Sequence, residues 1–60
     1  MAQFEIFKDA SGKYRFRFQA NNNEIVAQSE AYNSKAACEN GITVIKTQAP
    51  TASTVDKSGY

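Results

Sequence analysis

Histidine and tryptophan are missing from this chain, and cysteine and proline occur once each. A single thiol, Cys38, cannot close an internal disulfide, and without histidine it cannot complete a zinc site of the usual kinds. No cofactor or metal is therefore expected. Charge of one sign is also scarce: the net charge is +1, and Lys8, Lys13, Arg15, Arg17, Lys35, Lys46 and Lys57 are interspersed with Glu5, Asp9, Glu24, Glu30, Glu39 and Asp56. There is no basic run, so the electrostatic footprint of a nucleic-acid binder is absent. Apolar runs stop after a few residues, far short of the ~20 needed to span a bilayer, and no signal-peptide pattern opens the chain. A cytoplasmic location with a reduced thiol is the expectation.

What is present is an ordinary globular composition, 42% hydrophobic and 22% charged, which argues against disorder. The chain has 60 residues, read as one domain over 1–60. A domain of that length buries only about 60% of the surface its unfolded form exposes. Below roughly 70 to 80 residues, stability usually needs disulfides, a metal, very regular packing or a second copy of the chain. With the first two closed off, association with itself is the expected staple.

Hydrophobic periodicity gives the elements. From Gln3 to Asp9, Phe4, Ile6 and Lys8 fall on one side and Gln3, Glu5 and Phe7 on the other. Asp9 to Gly12 supplies turn chemistry. Tyr14 to Ala20 alternates most cleanly, with Tyr14, Phe16, Phe18 and Ala20 on one face and Arg15, Arg17 and Gln19 on the other. Asn21 to Asn23 forms a second turn, since asparagine tolerates the left-handed region, and Ile25 to Ser29 follows as a third strand. Asn33 or Ser34 caps a helix that runs to about Gln48, with Pro50 beyond its end. An advance of 100° per residue places Cys38, Gly41, Ile42, Ile45 and Ala49 in one stripe, with Ala37 and Val44 on its shoulder, so the helix is expected to cover the apolar face of the meander. Gly41 in that stripe lets the helix backbone approach an aromatic ring. The last ten residues, from Thr51 to Tyr60, read either as a short edge strand or as a frayed tail. The fold class is α+β, a three-stranded antiparallel meander covered by one helix and then a C-terminal strand, βββαβ.

Face parity bears on the two arginines. A slip of one residue would put arginine in the core, so Glu5 shares the outer face with Arg15 and Arg17. Pairing Ala20 with Ile25 and Phe18 with Ala27 sets Arg17 opposite Gln28 and Arg15 opposite Glu30. Each arginine then has a carboxylate within reach, and a solvated, self-paired strand face is preferred to an anion or RNA contact. Of the outward residues only Phe7 and Val26 are apolar, too few for a base-stacking platform. Cys38, in the buried stripe and without a histidine base, reads as a small core residue. The carboxylates sit on different elements and Gly12, Gly41 and Gly59 are scattered, so neither an acid–base pair nor a phosphate loop can be nominated, and an enzyme is not expected. Tyr32 and Asn33, between the third strand and the helix, are the candidate loop contacts for a partner, although Tyr32 is better read as a hydrophobic staple.

The stretches "FEIFKD", "GKYRFRF", "EIVAQSEAY", "SK" and "NGI", in this order, resemble the YegP-like family of small bacterial proteins, a domain of unknown function found in tandem or as a single unit. The likeness extends to Pro50, and departs where Asn23 and Ala31 stand at positions commonly glycine. It implies three strands, a helix and C-terminal strand material, with two units joined in one sheet and exchanging their C-terminal strands. A single-unit chain would reach that arrangement as a two-fold homodimer. The resemblance brings no activity, ligand or catalytic residue. The expectation is thus a non-enzymatic homodimeric interaction domain, with Arg15, Arg17, Tyr32 and Asn33 as partner-binding candidates; weak nucleic-acid or anion binding through Arg15 and Arg17 is the alternative.

Overall fold

The computed structural model describes residues 1–59; Tyr60, the last residue of the expected C-terminal strand, lies outside them. Three strands and a helix form in the expected order: β1 (Gln3–Lys8), β2 (Tyr14–Gln19), β3 (Ile25–Gln28) and α1 (Lys35–Gln48), the last followed by a 3-10 turn over Ala49–Thr51. The sheet is antiparallel with order β1-β2-β3.

Each strand ends one residue earlier than its pattern suggests, for a local reason. Asp9 leaves β1 because its carboxylate accepts the backbone N–H groups of Ser11 and Lys13, at 2.9 and 3.0 Å, and so closes the turn that Gly12 completes at φ +80°. Beyond Gln19 the backbone of Ala20 turns inward on itself, donating to Glu24 and accepting from Asn23. Asn23 takes the left-handed conformation, φ 68°, as the asparagine run predicts. At the end of β3 the Ser29 hydroxyl accepts the Phe16 N–H at 2.9 Å and donates to the Glu30 carbonyl at 2.8 Å.

Registers follow face parity with one interruption. Glu5 lies directly opposite Arg17, Phe18 opposite Ala27 and Arg17 opposite Gln28. A bulge between Phe18 and Gln19 places Gln19, not Ala20, opposite Ile25. The expected pairing of Arg15 with Glu30 does not occur either. The Ser29 N–H still donates to the Phe16 carbonyl at 2.8 Å, but the Ser29 hydroxyl replaces a backbone carbonyl as acceptor of the Phe16 N–H, and the next backbone pair is Tyr14 with Tyr32, which exchange hydrogen bonds of 2.9 and 2.7 Å.

Ser34, one of the two expected caps, begins α1: its hydroxyl accepts the Ala37 N–H at 3.1 Å. The helix lies against β2, and its stripe is covered only in its first half. Cys38 is fully enclosed, Gly41 and Ile42 are half-buried, but Ile45 remains 39% exposed and Ala49 is open. Among the described residues the buried apolar core is Phe16 and Cys38 alone. Phe16 packs edge-on to Phe4, with ring centres 5.9 Å apart, and stacks on Tyr32 at 6.2 Å. Residues 52–59 form no strand within the chain and are exposed throughout.

Candidate interaction surface

The two faces of the sheet carry different chemistry. On the outer face the Arg17 Nε lies 2.7 Å from a Glu5 carboxylate oxygen, and its guanidinium sits over the Phe7 ring, 5.0 Å from the centroid. The Arg15 Nε lies 2.8 Å from Asp9 Oδ2, and its Nη1 donates to the Ser29 carbonyl at 3.3 Å. Sequence parity finds the partner of Arg17 but misses that of Arg15, since Asp9 belongs to the turn. The Arg15 hydrogen bond, joined by the backbone N–H of Lys13, holds the Asp9 carboxyl below its usual value. Each guanidinium is thus paired through its Nε with a carboxylate, so the positive charge of the outer face is locally balanced.

Tyr32 and Asn33 do not join them. The Tyr32 ring turns inward, half-buried on Phe16, and its hydroxyl stands where a Cβ on Gly41 would meet it at 2.6 Å. That is the close approach of helix to ring expected at Gly41. Asn33 is exposed, and its side-chain oxygen accepts a hydrogen bond from the Lys13 ammonium, tying the helix start to the first turn. The four candidates thus fall into three places: a self-paired outer face, an inner ring and a surface tether. Burial raises the Cys38 thiol pKa, with the neighbouring Glu39 charge adding to the effect, so the sulfur stays protonated and a weak nucleophile. Among the described residues no three metal-ligating side chains converge.

Periodicity did not reveal the most conspicuous feature of the inner face. A groove of about 270 Å³ opens between the sheet and the second half of α1, lined by Phe4, Phe16, Phe18, Ala27, Ile45 and Ala49. A wider hollow of about 570 Å³ lies on the β1 side, where Lys8, Lys35 and Glu39 border Phe4, Ile6 and Tyr14. The groove is apolar throughout and presents no polar group to orient a small substrate. It can do little chemically except exclude water from another apolar surface.

Residues 9–56 match the model of a domain of unknown function, DUF1508. The chain belongs to the DUF1508 family. A UPF0339 protein of Agrobacterium fabrum is 50% identical over 97% of this chain and 94% of its own. Two solved structures share the fold of this DUF1508 domain. One, a solution structure of a protein from Haloferax volcanii, has a TM-score of 0.84 at 41% identity, covering 92% of this chain and 93% of that one. The other, a solution structure of protein ATU0232 from Agrobacterium tumefaciens, has a TM-score of 0.82 at 46% identity, covering 93% and 90%. The α+β arrangement of three antiparallel strands and one helix is therefore common to this family, as the YegP-like resemblance implies. No described helix of this chain is long and apolar enough to cross a membrane.

Proposed function

We propose that the protein is a non-enzymatic homodimeric domain of the cytoplasm, in which two copies share one sheet and exchange their C-terminal segments, and that the dimer serves macromolecular interaction. The observation that carries this reading is an excess of surface. The described chain exposes 4722 Å², whereas a compact monomer of this length exposes about 3,900 Å². The difference of roughly 800 Å² equals one partner's share of a standard protein–protein interface. Its radius of gyration, 13.2 Å, likewise exceeds the roughly 10 Å of a compact chain of this length, and residues 52–59 are exposed throughout.

In such a dimer the outer sheet face and the loop at Tyr32 and Asn33 are the surfaces left for a further partner. The alternative, anion or RNA contact through Arg15 and Arg17, would set phosphate beside the Asp9 and Glu5 carboxylates that already balance the two arginines, and like-charge repulsion opposes it. Sedimentation equilibrium of the full chain at micromolar concentration tests the reading. Twice the chain mass is expected, and a well-folded particle of single-chain mass overturns it. Titration with single-stranded RNA at two salt concentrations tests the alternative, whose mark is a steep fall of affinity with salt.

A further inference from the structure

The groove and the hollow on the inner face differ in chemistry. Where the groove has no polar group, the hollow of about 570 Å³ is floored by Phe4, Ile6 and Tyr14 and rimmed by Lys8, Lys35 and Glu39. Its size falls within the range of about 300 to 1,000 Å³ common to small-molecule sites. Strand alternation makes the floor: Phe4 and Ile6 stand on the inner face of β1, and Tyr14 joins them from β2, directly opposite Lys8. All three are only half-buried, so apolar surface remains within reach of a ligand.

The rim comes from two elements. Lys8 ends β1, and its ammonium lies over the Tyr14 ring, 5.3 Å from the centroid. Lys35 opens α1, and Glu39 follows one turn later on the same helix face. The Ser34 cap fixes where the helix begins and with it the place of Lys35. A lysine there runs against the preference for acidic residues at the positive end of a helix, and no acidic residue in the first turn offsets it. Among the described residues the ion pairs are those of Arg15 and Arg17, so Lys8, Lys35 and Glu39 all stand outside any ion pair. The rim therefore carries two cations and one anion, a surplus of one positive charge.

That balance narrows the ligand. One negative charge neutralises the rim, whereas a dianion such as a phosphate monoester would bring a second negative charge beside Glu39. The floor in turn calls for an apolar body. We propose that the hollow binds a small apolar monocarboxylate, its body on Phe4, Ile6 and Tyr14 and its carboxylate at the Lys8 and Lys35 ammoniums. A neutral apolar molecule forgoes the charge, and an inorganic anion forgoes the floor. Binding here needs no second copy of the chain.

Titration of the isotope-labelled full chain with phenylacetate, octanoate and the neutral phenylacetamide, followed by backbone amide shifts, tests this. At least one of the two acids is expected to saturate in the millimolar range or below, with shifts at Phe4 to Lys8, Tyr14 and Lys35 to Glu39. Phenylacetamide is expected to bind at least tenfold more weakly than that acid. Failure of both acids to saturate, shifts centred on Phe18, Ala27 and Ile45, or equal affinity for the amide overturns the proposal. As a second measurement, Lys8→Gln combined with Lys35→Gln, both at exposed positions, is expected to weaken binding of the acid about tenfold. An acid affinity unchanged by that pair of substitutions overturns the proposal too. Sedimentation, which decides the homodimer reading, is read separately from these shifts.

Discussion

Arg15 and Arg17 stand two residues apart on one strand face, yet each is neutralised separately, Arg15 by a turn residue and Arg17 by its cross-strand neighbour. A partly exposed cross-strand pair such as Arg17 with Glu5 contributes about 0.2 to 1 kcal/mol. Arg17→Ala is accordingly expected to lower unfolding stability by about that amount in urea titration, and to leave RNA affinity at the non-specific background; loss of a specific RNA complex would contradict it. The lowered pKa of Asp9 has a definite sign. Because the folded value lies below the unfolded one, near 4, the ion pair's contribution is complete above that value and is lost as pH falls through the folded pKa. Asp9→Asn keeps an oxygen for the turn N–H groups but gives up the charge. Its unfolding midpoint in urea is therefore expected to fall less steeply than that of the parent chain below about pH 4. Face parity alone leads to Glu5 for Arg17, but not to Asp9 for Arg15. The decisive Ser29 hydroxyl bonds are single side-chain contacts with no periodic trace in the sequence.

At the scale of elements, the helix and the meander depend on one close approach. A methyl group on Gly41 would stand 2.6 Å from the Tyr32 hydroxyl and 3.2 Å from Phe16 Cε2, both belonging to stacked rings with little freedom to retreat. Alanine improves helix propensity by about 1 kcal/mol, but overpacking of this kind costs about 1 to 3 kcal/mol. Gly41→Ala is thus expected to lower the melting temperature, and Tyr32→Phe in that background, which removes the nearest atom, to recover part of the loss. A helix stabilised by the alanine would show that the rings yield more easily than their stacking suggests. The position was legible in the sequence because a glycine inside an apolar helical stripe needs a packing reason. The strands were legible because alternation of period two has no helical counterpart, whereas the bulge at Phe18 and Gln19 left no signal. Nor could a helical stripe reveal how much of itself three strands would cover. Ile45 and Ala49 belong to the stripe and still face the groove.

For the molecule as a whole, the difficulty set by 60 residues is plain in the structure: among the described residues, two buried apolar side chains, an open apolar groove and an exposed C-terminal segment. Chain length, a single cysteine and the lack of histidine point toward self-association. If two copies complete one core, folding and association are a single equilibrium, and stability must depend on protein concentration. The most direct measurement is the thermal midpoint over a hundredfold range of concentration, by circular dichroism. A rise of about 5 °C for each tenfold increase is expected for a dimer of this combined size, and a midpoint that stays constant across the range would contradict the account.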